Sequence, residues 1–175
     1  MFWLQIVSNF LKVLRAGQTP RQIAAGFALG SIVGLSPMFT LQGLFVWLLI
    51  LIFNVNLSAA ILSFTLFSLI AYLLDPAFHW LGYQLLVNVE ALQDVWTTLY
   101  NAPIAPLTRF NNTVVMGSFL AAIVLSVPVY VGMKYLVIAY RTTIGAKVEQ
   151  WKIYQILSKS AVLRWYHRIK NFGES

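Results

Sequence analysis

From Gln22 to Leu74 the chain carries no Asp, Glu, Lys, Arg or His. A water-soluble domain shows charge to solvent every few residues, and one small core cannot hide a stretch this long. The sequence therefore predicts an all-α integral membrane protein. The stretch is broken twice, at Ser36-Pro37 and at Asn54-Val55-Asn56. The lengths of the pieces between the breaks decide the topology.

Thr19-Pro20-Arg21-Gln22 has the marks of a helix start. Thr19 can cap, Pro20 suits the first helical position, and Gln22 completes a capping box. Pro37 ends the helix near Leu35, so its charge-free part is about 21 Å long. Ser36-Pro37 reads as the start of a second helix, to Phe53, of about 25 Å. Both are short against a hydrocarbon core of about 30 Å, and no charge at their junction holds it among distant headgroups. A re-entrant hairpin over 20–53 fits these lengths. Two full spans fit the charges equally well.

Residues 57–74 and 113–133 are long enough to cross, with a bend predicted at Pro128. Asp75-Pro76 reads as a helix start at the far face. Residues 75–109 are aromatic and sparsely charged, suited to the outer interface. Residues 1–16 form an amphipathic helix whose polar stripe is Gln5, Ser8, Asn9, Lys12 and Arg15, suited to lie flat on the membrane, with packing on protein as the alternative. Residues 142–175 are predicted to form a basic amphipathic cytoplasmic helix.

Charge orients the scheme. Lys12, Arg15 and Arg21 precede the apolar stretch, and residues 134–175 hold eight basic and two acidic residues. Residues 75–109 hold Asp75, Glu90 and Asp94 against Arg109. Basic flanks stay inside, which puts both termini in the cytoplasm. Anionic headgroups account for the basic tail, so no nucleic-acid partner is expected. The chain has no Cys, which removes disulfides and thiolate chemistry. No nucleophile motif or metal-ligand spacing occurs, so no catalytic residue, metal or cofactor is assigned and no enzyme is expected.

Gly26, Gly30 and Gly34 line one helix face, the spacing that lets two backbones approach closely. They pack the hairpin on itself or form a homo-oligomer interface. Pro37 and Gly43 belong to the same packing group. Thr40, Gln42, Asn54 and Asn56 are polar groups in the apolar stretch and need partners. They either hydrogen-bond to pin the hairpin or form a polar pocket at its tip for a lipid phosphate, with Arg21 nearby. Arg109, Asn111 and Asn112 form a second candidate phosphate grip, with pairing of Arg109 to Asp75 or Asp94 as the alternative. Asp75, His79, Trp80 and Trp96 are candidate partner-docking residues.

Together, Thr19 to Gly30, Gly34-Leu35-Ser36-Pro37 and Asn56-Leu57-Ser58-Ala59-Ala60 resemble the bacterial family called domain of unknown function 2062. Leu74-Asp75-Pro76 and Arg109-Phe110-Asn111-Asn112-Thr113 resemble a narrower branch of it. Family members commonly carry Asn-Pro where Asp75-Pro76 stands here. The resemblance implies an uncharacterised inner-membrane protein of bacteria with outer membranes, often encoded beside a large envelope-spanning protein. That partner is similar to long β-rich proteins that conduct lipids. The expected function is an inner-membrane subunit that docks this partner and helps phospholipid move outward. A self-sufficient lipid-phosphate flippase and a membrane scaffold are the alternatives.

Overall fold

The computed structural model describes residues 2–37 and 39–145. Every regular element among them is helical: α1 (Phe2–Arg15), α2 (Pro20–Leu35), α3 (Leu41–Ile52), α4 (Leu57–Tyr83), α5 (Gln93–Tyr100) and α6 (Thr113–Ala139). Short π and 3-10 turns fill Gln84–Asn88, Glu90–Leu92, Ala105–Thr108 and Tyr140–Gly145. Residues to Val137 form one compact unit, and a second begins at Ile138. Of the predicted basic helix, residues 142–145 lie in the last π turn and the rest lies outside the described residues.

The start of α2 is the predicted capping box. The Gln22 N–H donates to the Thr19 hydroxyl at 3.3 Å, and the Thr19 N–H donates to the Gln22 side chain at 3.0 Å. From Ile23 to Leu35 this helix is almost wholly buried. It returns through α3 to the turn before α4, where the Asn56 N–H donates to the Gln22 carbonyl at 3.1 Å. Base and end of the hairpin are thus tied together.

The three glycines set the seam between α2 and α4. A Cβ on Gly26 would collide with the Asn56 carbonyl, and one on Gly30 with the Ala60 carbonyl. On Gly34 it would lie 2.8 Å from both the Phe64 carbonyl oxygen and the Phe67 Cβ. The pairs advance together along both helices, so α2 and α4 run parallel. Phe27 and Phe67 close the seam edge to face, 6.1 Å apart, and Trp47 of α3 meets Phe64 at 5.8 Å. This hairpin therefore ends beside Phe64 and Phe67, about 15 Å along α4 from Leu57. Most of α4 continues beyond it.

The upper half of α4 holds a different helix. A Cβ on Gly82 would strike the Thr113 carbonyl, and one on Gly117 the Phe78 carbonyl. These pairs run in opposite senses, so α4 and α6 are antiparallel. The 3-10 turn Ala105–Thr108 comes back to touch α3.

Three expected boundaries are corrected. Helix α3 starts at Leu41, not Pro37: the Ser36 hydroxyl turns back to the Ile32 carbonyl at 2.6 Å, and Thr40 takes over as cap, accepting from the Gly43 N–H at 3.2 Å. Pro76 lies inside α4 rather than starting a helix. A proline removes one hydrogen bond and crowds the preceding turn. Packing of buried Phe78 and Gly82 on α6 holds the helix through it. Likewise α6 runs on past Pro128 and Met133 to Ala139.

An added methyl on the seam is expected to cost about 1–3 kcal/mol as overpacking. Gly30→Ala should therefore unfold at lower temperature in detergent than the parent chain. Gly132→Ala meets nothing within 4 Å and should be neutral or slightly stabilising, as alanine favours helix by about 1 kcal/mol.

Candidate functional site

The expected single pocket for a phosphate does not form, because α3 separates its members. Thr40 and Gln42 sit at the hairpin tip; Asn54 and Asn56 sit at its base with Arg21. The length of α3 between them is about 18 Å. At the tip, Thr40 donates to the Pro37 carbonyl at 2.9 Å. Gln42 has its side-chain Oε1 buried without a partner. A groove of about 680 Å³ runs along the outer side of α3, lined by Leu41, Gln42, Phe45, Leu48, Leu51 and, from the returning turn, Thr108. Its wall is almost wholly apolar. Gly43 is buried in the first turn of α3, and Pro37 is exposed.

At the base, Arg21 and Asn54 are exposed. Asn56 is buried and caps α4: its Oδ1 accepts from the Ala59 N–H at 2.7 Å. Beside it opens a cleft of about 440 Å³ between α1 and the first turns of α4. Asn9 and Lys12 line it from α1; Asn56, Ser58 and Thr65 line it from the α4 side. The helix α1 is thus partly docked on protein, with Val13 and Leu14 buried. Sequence alone identified Asn9 and Lys12 as part of a polar stripe and Asn56 as a turn residue. It held no signal that the two would face one cleft.

At the far end of α4, Asn112 caps α6, its Oδ1 accepting from the N–H groups of Val114 at 3.0 Å and Val115 at 3.1 Å. Asn111 and Arg109 are exposed. Arg109 adopts the left-handed conformation, φ 54°, and its N–H donates to the Pro106 carbonyl at 2.9 Å. A non-glycine residue there is held by its surroundings. Among the described residues it forms no ion pair with Asp75 or Asp94.

The candidate docking residues divide. Trp80 is 62% exposed and Asp75 is exposed. His79 is tied to Thr113 by a 2.6 Å hydrogen bond that pins α4 to α6. Trp96 turns inward, donating to the Leu85 carbonyl at 3.1 Å and resting 6.0 Å from the Phe110 ring. It is a structural anchor of the outer segment.

The profile of the family DUF2062, described as an uncharacterized protein conserved in bacteria, matches residues 5–144. The chain belongs to this family. It is similar to an uncharacterized protein of Treponema pallidum (strain Nichols), 25% identical over 161 residues, which cover 92% of this chain and 99% of the relative. No solved structure matches the chain.

The two asparagines before α6 are separable by stability. Asn112→Ala should lower stability by about 1 kcal/mol through loss of the cap. Asn111→Ala should stay within about 0.5 kcal/mol. Denaturant titration of the detergent-solubilised chain checks both.

Proposed function

We propose that the chain is a non-enzymatic, multi-pass membrane subunit that handles phospholipid, its short hairpin acting as a wedge in one leaflet. Two continuous helical stretches, Leu57–Asn88 and Thr113–Thr143, contain 18-residue windows with mean hydropathies of 2.1 and 2.3, yet only 22% of each window is buried. The core helix of a soluble protein would be mostly covered. Exposed leucines and phenylalanines also cover the outer face of α3. Hydrocarbon is the solvent that suits such faces.

The observation that carries the lipid-handling reading is the depth of the hairpin. With Leu57 near one interface, its tip lies beside Phe64 and Phe67, about halfway along a core of about 30 Å. Non-helical backbone at that depth must be shielded by protein. The turn Ala105–Thr108 comes down onto α3 beside it, and Ser36 and Thr40 are themselves buried and bonded to the Ile32 and Pro37 carbonyls. A stubby apolar element draws the bilayer thin around itself, which shortens the path of a phospholipid leaving its leaflet. Lys12, Arg15 and Arg21 favour the cytoplasm for the hairpin base, and Asp75, Glu90 and Asp94 sit toward the other face. The outer segment presents exposed Trp80, Tyr100, Ile104 and Leu107. In this reading it docks an envelope-spanning partner that takes the lipid onward.

Two measurements test the subunit reading. Affinity purification from native membranes should bring down a large envelope protein in stoichiometric amount, and Trp80→Ala should reduce the yield several-fold, in line with the loss of an exposed aromatic anchor. Reconstituted alone in liposomes, the chain should leave headgroup-labelled phospholipid in its original leaflet. Rapid lipid exchange by the chain alone would contradict the subunit reading in favour of a self-sufficient transporter.

A further inference from the structure

The cleft between α1 and α4 is not needed to build the wedge, yet its chemistry is one-sided. Asn56 is only 6% exposed. Its Oδ1 is used by the Ala59 N–H at 2.7 Å, which fixes the orientation of the amide. Its backbone N–H donates to Gln22 and its carbonyl accepts from the Ala60 N–H at 3.0 Å. The amide NH2 is the remaining polar group, without a partner among the described residues, on a side chain that lines the cleft. Its nitrogen is not enclosed by protein, so an acceptor that enters the cleft can reach it.

The neighbouring groups point the same way. Lys12 brings a cation and Ser58 a hydroxyl to the cleft. The Thr65 hydroxyl is occupied by the Ile61 carbonyl at 2.9 Å. No carboxylate competes: the acids among the described residues are Asp75, Glu90 and Asp94, and Asp75 lies about 27 Å along α4 from Leu57. Ile6, Val13, Ile61 and Leu62 complete the lining as an apolar wall. A cation and converging donors beside an apolar wall suit an amphiphile with an anionic head.

We propose that this cleft binds the phosphate of a glycerophospholipid. Lys12, Asn56 and Ser58 donate to the phosphate oxygens, and the apolar wall borders the glycerol and the first acyl carbons. The positive end of the α4 dipole adds to the attraction. The proposal deepens the lipid-handling reading and rests on it: the wedge disturbs the leaflet, and the cleft at its base holds the headgroup of the lipid to be released.

The test is native mass spectrometry of the detergent-purified full chain titrated with phosphatidylglycerol. Lys12→Glu should weaken retention about tenfold, as expected for loss of a charge-assisted hydrogen bond. Arg21→Glu makes the same charge change at the hairpin base but outside the cleft, and should stay within about twofold of the parent. Lys12→Gln supplies a second variant should the charge reversal disturb folding. Equal loss in the two glutamate variants would mean diffuse surface attraction and would overturn the proposal, as would parental retention in both Lys12 variants. Added glycerol 3-phosphate separates a lipid from a free phosphate ester. Lipid that stays bound in millimolar competitor supports the proposal, and ready displacement contradicts it. Loss of selectivity at Lys12 with partner capture intact removes the cleft and leaves the subunit reading. Failure of partner capture with Lys12-dependent retention intact does the reverse.

Discussion

The close approach of α2 to α4 is the contact on which the other features depend. Two helix backbones meet without side chains between them at Gly26 and Gly30, and almost so at Gly34. Because the paired positions advance in step on both helices, this seam sets direction as well as distance. It forces α2 parallel to α4, which obliges α3 to bring the chain back within a few turns. The hairpin's height follows from the same register. Van der Waals packing of this kind is the main attraction between helices once lipid removes the hydrophobic drive.

Seen from α4, the protein is asymmetric along its length. The lower half carries the hairpin and the amphipathic α1, and the upper half carries α6, again through glycines, Gly82 and Gly117. The outer segment is fastened by Trp96 and by the His79–Thr113 bond. Its descending turn meets the hairpin along α3, with Thr108 facing the groove that begins at Leu41. The two helix starts within the apolar stretch are capped by side chains, Thr40 for α3 and Asn56 for α4, which satisfies backbone groups that a bilayer would leave bare. The proposed roles follow this division: disturbance of lipid and headgroup capture at the lower end, docking at the upper.

Local chemistry was legible in the residues; its tertiary use was less so. The Thr19 capping box, the glycine face and the shortness of the hairpin pieces can be read directly, since each depends on neighbours within a turn or two. Ser36-Pro37 and Asp75-Pro76 mislead for one reason. Both look like helix starts, but packing decides: Ser36 closes the end of α2, and α6 carries α4 through Pro76. The polar residues of the apolar stretch were sound as a group to single out and wrong as a cluster. Thr40 and Gln42 lie one helix length from Asn54 and Asn56. Conversely, Lys12 and Asn56 are far apart in the chain and face one cleft, which no local pattern encodes.

The most direct test is the depth of the hairpin tip in a bilayer. A nitroxide at Phe39, which is 84% exposed, can be placed along the membrane normal by comparing relaxation by oxygen with relaxation by a water-soluble nickel chelate. The seam predicts strong oxygen access and little chelate access at Phe39, with labels at Asn54 and Trp80 far shallower. A label at Phe39 as open to the chelate as one at Trp80 would place the tip at the outer surface. That result would show the hairpin to be a pair of full spans and contradict the wedge.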